Sequence, residues 1–324
     1  MQYDSYFPTV IGYNQCPFFD EVKDNYISII NTIPRTTPEG DIYYHFHKDN
    51  RFNRLNTWIT ESVNDYALKH KYPDNYLPGE SWAIDYTKNQ VSMGLIVLQT
   101  DETIENEFRS ILGKNFKLYH SRIPSHQKVT PKNLSSMEKE LPLATKLLPG
   151  NLNCIGYACT SGATIIGPSK IEKIINKIFP DTHITNPISS VVDGLNYLDA
   201  KNIAFISPYI NSVSNEIRKF LVTKGFNITS LISYEQEDES IVARIKEEDT
   251  LKYILDIPKN SFDAVFISCT NLRTFNIINY VEKKLNKPVI SSNLALAWNM
   301  IRLSGMSMDD PNTKIFSSKL FEKH

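Results

Sequence analysis

The stretch GYACTSGATIIG (residues 156–167) ends a short apolar run at Cys159 and continues with threonine, serine and glycine. The stretch FISCTNLRTFNI (residues 266–277) repeats this arrangement at Cys269, which is followed by threonine and asparagine. In a parallel α/β sheet the strands end at one functional edge, and helices begin there. The repeat therefore predicts two such units, each with a cysteine at that edge.

The sequence around these two stretches alternates between strand and helix patterns. Short apolar or β-branched runs predict seven strands: GLIVL (94–98), FKLYHSRI (116–123), LNCIGYA (152–158), NIAFIS (202–207), FNITSLI (226–232), DAVFIS (263–268) and PVISS (288–292). Helical spacing follows in DETIENEFRSIL (101–112) and SNEIRKFLVTKG (214–225), with Gly225 as the expected C-terminal cap. The fold class is therefore α/β, with two pseudo-symmetric parallel-sheet lobes and the active site in the cleft between them, plus an N-terminal extension.

Changes in composition predict the domain boundaries. Residues 1–92 form an accessory extension that is rich in tyrosine, asparagine and proline and contains a helix at FNRLNTWITESVNDYALKH. The first lobe spans 93–200, the second spans 201–291, and 306–324 form a C-terminal tail. The helix at 292–305 is expected to pack back on the first lobe.

Composition excludes several classes of function. Among 324 residues, 35 Lys and Arg balance 36 Asp and Glu. This balance gives no strongly basic surface, so we predict no nucleic-acid partner. Apolar runs reach only strand length, which predicts no membrane partner, and the amino terminus lacks the pattern of a secretory signal, so we expect a cytoplasmic protein. Four irregularly spaced cysteines predict no disulfide framework and no zinc site. His45 and His47 would share a strand face without further ligands, so we predict no metal site.

The two cysteine turns favour chemistry on a small anionic substrate. Free N–H groups at a helix start would lower the pKa of Cys159 and Cys269 and favour thiolate. The residues that would hold a carboxylate follow both cysteines: Thr160, Ser161, Gly162, Thr270 and Asn271. Two facing thiols could act as acid and base on one carbon, or as nucleophile and proton donor across a double bond. The alternative is that both cysteines only fill space, which is how we interpret Cys154 and Cys16.

Three further charged features have simpler interpretations. The acidic cluster EQEDES (235–240) is interpreted as a solvated helix start near a positive dipole end. Arg273 and Arg302 are candidates for binding a carboxylate, although salt bridges explain them equally well. No glycine-rich nucleotide motif is present.

Five motifs together resemble the maleate isomerase group of the aspartate/glutamate racemase superfamily, over about residues 93–305. They are LQTDETIENEFR (98–109), ACTSG (158–162), SPY (207–209), SCTNLRT (268–274) and PVISSNLALAWNMIRLSG (288–305). The QTDET form is especially similar to the branch found with ectoine and hydroxyectoine utilisation. Arylmalonate decarboxylases belong to the same superfamily.

The resemblance implies a cofactor-independent homodimeric enzyme acting on a dicarboxylate or related small acid. It implies that Cys159 adds to the substrate double bond, that Cys269 handles the proton, and that Tyr209 hydrogen-bonds the substrate. One departure concerns Asp101, which replaces a family asparagine among the substrate-binding residues. Its carboxylate would repel a second substrate carboxylate unless it is protonated or turned away.

Three hypotheses follow. The first is a cofactor-independent isomerase or racemase acting on a small carboxylic or dicarboxylic acid through Cys159 and Cys269. The second is a decarboxylase of a malonate-type acid that uses Cys269 alone; arylmalonate decarboxylases carry glycine at the position of Cys159. The third is a non-catalytic protein that binds a small acid.

Overall fold

The computed structural model describes residues 91–112, 116–306 and 318–322, together with the backbone of two short strands near the amino terminus. The chain divides into two compact units, Met1–Asn89 and Gln90–His324. In the first unit, β1 (Ile33–Thr36) and β2 (Ile42–His45) pair as antiparallel strands.

Some predictions for the extension lie outside the described residues. They concern the helix expected at 52–70, the packing role of Cys16, and the side chains of His45 and His47.

The second unit contains two parallel sheets of four strands. Its strands are β3 (Ser92–Leu98), β4 (Lys117–Ile123), β5 (Cys154–Ala158), β6 (His183–Thr185), β7 (Asn202–Tyr209), β8 (Asn227–Gln236), β9 (Ala264–Ile267) and β10 (Val289–Ser291). The strand orders are β4-β3-β5-β6 and β8-β7-β9-β10, and all neighbours are parallel. Within each sheet the order is second, first, third and fourth, so the predicted pair of pseudo-symmetric α/β lobes is confirmed.

Helices connect and cover the strands of the second unit. They are α1 (Ile104–Leu112), α2 (Pro131–Ser136), α3 (Leu141–Lys146), α4 (Thr160–Ile166), α5 (Pro168–Asn176), α6 (Pro187–Tyr197), α7 (Asn211–Thr223), α8 (Glu239–Val242), α9 (Glu247–Leu255), α10 (Phe275–Leu285), α11 (Ser292–Leu303) and α12 (Lys319–Glu322). Single turns of 3-10 helix lie at Met137–Lys139 and Lys259–Ser261. No helix of the described residues is long and apolar enough to cross a membrane.

Strand burial explains why the central strands were readily predicted. β3 and β7 are buried along nearly their whole length, because helices cover both faces of a parallel sheet and the sequence is then almost continuously apolar. Edge strand β4 alternates instead between exposed and covered residues at its start. The three-residue strand β6 was missed because HIT carries no apolar run.

Helix α11 joins the two lobes. It follows β10 of the second lobe, yet it packs against α1, β5, β6 and α6 of the first lobe as well as against β10. Ten consecutive residues from its start are buried, as expected of a helix that is surrounded by protein on all sides. Residues of both sheets consequently share one apolar core.

Glu107 of α1, in the first lobe, hydrogen-bonds residues of the second lobe and of α11. Its buried carboxylate accepts hydrogen bonds from the backbone N–H groups of Thr274 at 2.9 Å and Phe275 at 3.2 Å, where α10 begins. It also accepts from Asn293 Nδ2 of α11 at 2.8 Å. A first-lobe carboxylate therefore caps a second-lobe helix and orients the first turn of α11.

Replacing Glu107→Ala should lower the free energy of unfolding by about 2 to 4 kcal/mol, because buried donors lose their acceptor. Urea unfolding at pH 7 would measure the change. Glu216→Ala is the matched control, since its carboxylate forms only a half-exposed pair with Lys219 on one helix; a loss below about 1 kcal/mol is expected there. Equal losses in the two variants would contradict the capping role.

Candidate functional site

The strand order brings four predicted residues to the junction of the two α/β lobes. In each lobe the order reverses between the first strand and the third, which is where ligands bind in open α/β sheets. Asp101 follows β3 and Cys159 follows β5 in the first lobe. Tyr209 ends β7 and Cys269 follows β9 in the second lobe. All four side chains are buried.

Cys159 occupies the N-cap position of α4. Its Sγ accepts a hydrogen bond from the backbone N–H of Gly162 at 3.2 Å and lies 3.6 Å from Ser161 Oγ. The residue is extended, with φ −150° and ψ 115°, which is typical of an N-cap. The first lobe thus presents its thiol at a helix start, as the sequence predicts.

Cys269 sits in a strained turn. Its φ is +92°, in the region that favours glycine, so a cysteine here costs about 1 to 3 kcal/mol. Its Sγ accepts from the backbone N–H of Asn271 at 3.3 Å, and its own N–H donates to Ser292 Oγ at 3.1 Å. Such conformations persist only where neighbouring groups hold them, and they are concentrated at functional sites.

Ser292 connects the two cysteine turns, and sequence reasoning did not single it out as a site residue. Thr160 Oγ1 donates to Ser292 Oγ at 2.7 Å, while Ser292 Oγ accepts from Cys269 N. A second link joins Thr270 Oγ1 to the carbonyl of Ala158 at 3.5 Å. The position of Ser292 after the strand VIS was the available signal, but its partners come from other parts of the chain.

Two buried tyrosines lie beside the thiols. The Tyr209 side chain hydrogen-bonds Cys269, and burial together with the nearby negative groups raises the tyrosine pKa well above its ordinary value. Tyr157 was not predicted as a site residue. A Cβ built on Gly162 would lie 2.7 Å from Tyr157 OH and 3.0 Å from Cys159 Sγ, so both groups crowd this glycine.

One oxygen of the Asp101 carboxylate has hydrogen-bond partners among the described residues and the other has none. Its Oδ1 accepts from the backbone N–H groups of Thr103 at 2.8 Å and Ile104 at 2.9 Å, which caps the start of α1. Its Oδ2 is buried and has no hydrogen-bond partner among the described residues, although the Thr270 hydroxyl lies close by. Burial raises the pKa of the Asp101 carboxyl above its ordinary value, against the lowering effect of these hydrogen bonds.

Glu239 corrects our interpretation of the EQEDES cluster. Asp238 does cap a helix, α8, but Glu239 is buried rather than solvated. Asn271 Nδ2 donates to Glu239 Oε2 at 2.8 Å, and burial raises the pKa of Glu239 to about 7. Asp101 contributes to that rise, so the two carboxyls influence each other. Nothing in the spacing of the cluster distinguished this glutamate from its solvated neighbours.

Asn271 has a structural task in addition to its predicted place near the substrate. Its Oδ1 accepts from Glu102 N at 2.8 Å, and its Nδ2 also donates to the Glu239 carbonyl at 3.0 Å. Its own carbonyl accepts from Thr103 Oγ1 at 2.9 Å. The side chain therefore ties the loop after β3 to the start of α8.

The expectation of low thiol pKa values is wrong for this arrangement. Burial raises the pKa of Cys159 to about 12, although Ser161 and Gly162 donate to it. Burial likewise raises the pKa of Cys269 well above its ordinary value, despite the Tyr209 hydrogen bond. Glu239 and Asp101 add to both rises because negative charge disfavours thiolate. The N–H donors are present as predicted, but desolvation outweighs them.

The other residues considered in the sequence analysis, Arg273, Arg302 and Cys154, have partners or positions outside the group of residues described above. Arg273 is exposed and donates to the Ile245 carbonyl at 2.9 Å. Arg302 is exposed and pairs with Asp193 at 3.1 Å, which agrees with the salt-bridge interpretation. Cys154 is buried inside β5. The described part of the chain contains no cluster of three or more histidine, cysteine, aspartate or glutamate side chains suited to a metal ion.

Comparison with known proteins supports the predicted relationship. Residues 161–316 match the family model described as arylmalonate decarboxylase. A maleate isomerase of Geobacillus stearothermophilus is 24% identical over 236 residues, which cover 68% of this chain and 94% of that protein.

Solved structures show the same fold. The maleate isomerase Iso of Pseudomonas putida S16, solved as a cysteine-to-alanine variant with maleate, has a TM-score of 0.64 at 20% identity and covers 72% of this chain and 98% of its own. A cysteine-to-serine mutant of the Nocardia farcinica maleate cis-trans isomerase, which holds a covalently bound succinylcysteine intermediate, has a TM-score of 0.64 at 21% identity. It covers 73% of this chain and 100% of its own. The curated maleate isomerases support an isomerase, and these structures share the fold of this chain.

Stability should fall as the pH rises through the pKa of Glu239. That pKa is about 7 in the folded protein against an ordinary 4.5, so the folded state binds the proton more tightly and its advantage is lost above neutral pH. Between pH 5 and 8, Glu239→Gln should reduce the decline in the free energy of unfolding by about 2 kcal/mol. Urea unfolding of both proteins at the two pH values would measure it. Part of the decline remains because Glu107 and Glu282 are shifted alike; identical declines would contradict the burial of Glu239.

Gly162→Ala should destabilise the protein by about 1 to 3 kcal/mol, because the added methyl would press on Tyr157 OH and Cys159 Sγ. Gly150→Ala is the matched control, since a Cβ there meets nothing within 4 Å and a change within about 0.5 kcal/mol is expected. Urea midpoints would compare the two. A Gly162→Ala protein as stable as the control would show that the thiol is not confined there.

Proposed function

We propose that this protein is a cofactor-independent isomerase or racemase of a small carboxylic acid. Its similarity to maleate isomerases and to the arylmalonate decarboxylase family model supports this proposal. Cys159 and Cys269 are the proposed working pair. The observation that carries the proposal is the meeting of two cysteine turns, one from each lobe, across the hydroxyl of Ser292. Packing alone does not require a cysteine at a φ of +92°.

The two thiols can perform two related reactions. In the first, Cys159 reacts as a thiolate: its sulfur bonds to one carbon of a substrate double bond while the neighbouring carbon takes the proton of Cys269, which becomes the thiolate. Rotation about the new single bond and reversal of both steps give the other isomer and restore the Cys159 thiolate and the Cys269 thiol. In the second, one thiolate removes a proton from the carbon beside the carboxylate, and the other thiol delivers a proton to the opposite face. The succinylcysteine in the Nocardia farcinica structure is an intermediate of the first kind in that protein.

Neighbouring groups have defined parts in this proposal. The Tyr209 hydroxyl hydrogen-bonds Cys269 and is positioned to assist its proton transfer. Ser161 and Gly162 contact the Cys159 sulfur, and Thr270 follows Cys269 and hydrogen-bonds the Ala158 carbonyl; these three are the proposed carboxylate contacts. Because both thiols are buried with raised pKa values, they are protonated before substrate enters, and substrate binding has to provide for thiolate formation.

A decarboxylase of a malonate-type acid is the second candidate. The match of residues 161–316 to the arylmalonate decarboxylase model favours it. It requires only Cys269 as proton donor, and the retention of Cys159 beside it favours the two-thiol reaction. A binding protein without catalysis, placement in the ectoine-utilisation branch and a homodimeric assembly stay predictions from the sequence.

Incubation in D₂O with a panel of small acids, including maleate, aspartate and phenylmalonate, would test the proposal. Proton NMR would follow isomer formation and deuterium entry at carbon, and released carbon dioxide would be measured in parallel. For the acid that is converted, Cys159→Ala and Cys269→Ala should each reduce turnover at least about 100-fold.

Cys154→Ala is the matched control, because this cysteine is also buried and free but lies within a strand away from both turns. It should keep turnover within about threefold, since it contributes only to packing. Full activity of Cys159→Ala with release of carbon dioxide would favour the decarboxylase. Binding without any turnover or deuterium entry would favour the non-catalytic protein.

A further inference from the structure

The Tyr157 hydroxyl is a buried polar group that the proposed chemistry does not use. The side chain is fully buried in β5, and its hydroxyl has no hydrogen-bond partner among the described residues. A buried hydroxyl without a partner costs stability, and phenylalanine would fill the same space without that cost. Packing alone therefore does not explain the hydroxyl, and its function has to be sought among the groups beside it.

Cys159 is the reactive group beside this hydroxyl. Residue 159 is still extended, with φ −150° and ψ 115°, so the side chains of Tyr157 and Cys159 leave the chain on the same face of the sheet. Both reach Gly162: a Cβ built on that glycine would lie 2.7 Å from the Tyr157 hydroxyl oxygen and 3.0 Å from Cys159 Sγ. The hydroxyl and the sulfur therefore flank one point, which is too confined for a methyl group.

The charge of the sulfur decides whether it can engage this hydroxyl. A neutral thiol is a weak acceptor, whereas hydrogen bonds to an ionised group are shorter and about twice as strong as neutral ones. Cys159 is neutral in the resting protein, because burial raises its pKa to about 12. Burial also raises the pKa of Tyr157 well above its ordinary value, and the nearby Cys159 adds to that rise. The tyrosine therefore keeps its proton and remains a donor.

The donors already present at Cys159 do not satisfy a thiolate. The Gly162 N–H donates to the sulfur at 3.2 Å, and Ser161 Oγ lies 3.6 Å away. The cysteine pKa is raised in spite of both, because desolvation outweighs them. Every further hydrogen bond to the ionised sulfur favours that charged form. A third donor is thus what the first thiol lacks.

The second lobe contains a comparable pair. Tyr209, at the end of β7, hydrogen-bonds Cys269 through its side chain. The residue two places before Cys269 is the buried apolar Ile267, so the second lobe places its tyrosine on a different strand. Each thiol nevertheless has one buried tyrosine beside it. A pair that recurs on different strands indicates that the tyrosine serves the thiol.

Resting on the proposed function, we infer that the Tyr157 hydroxyl is the hydrogen-bond donor that stabilises Cys159 as a thiolate. The hydroxyl turns to the sulfur when the thiol loses its proton, and it keeps its own proton throughout. No covalent bond forms or breaks at the tyrosine. Its removal destabilises the anion and leaves the fold intact.

Tyr157→Phe tests the inference, because it removes only the hydroxyl. Alkylation of the full-length protein by iodoacetamide between pH 7 and 9.5 would be followed at Cys159 by peptide mass spectrometry. The reagent bonds to the thiolate and releases iodide after the thiol proton has passed to the buffer, so the rate reports the thiolate population. We expect Cys159 to react at least about tenfold more slowly in the variant, while the urea midpoint equals or exceeds that of the wild type.

Tyr234→Phe is the matched control. Its hydroxyl donates to Thr250 Oγ1 at 3.1 Å, between β8 and α9 of the second lobe. This variant loses a formed hydrogen bond, so it should lower the urea midpoint and leave the alkylation rate of Cys159 unchanged. In Tyr157→Phe itself, the rate at Cys269 should stay unchanged, which excludes a general change in access to the site.

An unchanged rate at Cys159 in Tyr157→Phe, or an equal loss at both cysteines, would overturn the inference. So would slower alkylation together with a lower urea midpoint, because the hydroxyl would then have a structural task. A wild-type Cys159 that does not react below pH 9.5 would contradict it too, and so would a loss of turnover without a change in alkylation, which would place the hydroxyl on the substrate. Failure of the proposed function has a separate signature: Cys159→Ala would keep full turnover while Tyr157→Phe still slows alkylation of Cys159.

Discussion

The hydroxyl of Ser292 is the contact on which the arrangement of the site depends. It accepts from Thr160 Oγ1 at 2.7 Å and from the backbone N–H of Cys269 at 3.1 Å, so one atom joins both cysteine turns. Ser292 is also the first residue of α11, which packs across both lobes. The same residue thus links the two cysteine turns and hydrogen-bonds the backbone of Cys269 at its positive φ.

A second constraint is the burial of so many ionisable groups at this junction. Glu107 is satisfied by the start of α10 and by Asn293, and it belongs to the framework. Asp101 and Glu239 resemble it in burial, but among the described residues Asp101 Oδ2 has no hydrogen-bond partner, and Glu239 Oε2 accepts from the Asn271 amide. Groups of this kind cost stability unless a ligand completes them. The pattern separates Glu107, whose two oxygens are both paired, from Asp101, whose Oδ2 has no hydrogen-bond partner among the described residues.

Duplication explains why the site lies between the lobes. Each lobe repeats the strand order second, first, third, fourth. In each lobe a cysteine follows the third strand. At the first strand, the first lobe provides Asp101 just after β3, and the second lobe provides Tyr209 at the end of β7. One lobe alone supplies a single thiol, whereas two lobes facing each other provide a pair for acid and base chemistry. The two lobes are not identical: Tyr209 ends the first strand of the second lobe, whereas Asp101 follows the first strand of the first lobe. The two sides of the site therefore carry different chemical groups.

The amino-acid sequence alone determined the α/β class, the two lobes, most strands and the places where the cysteines stand, because apolar periodicity and turn residues are local properties of the chain. It also indicated Asp101 as the residue that conflicts with a dicarboxylate. Tertiary structure decided the rest. Ser292, Glu239 and Tyr157 join the site through partners distant in sequence, and Glu239 looked like any solvated acid in EQEDES. The thiol pKa values depend on desolvation, which is a property of the surrounding protein and not of the turn itself, so local N–H donors predicted the wrong direction.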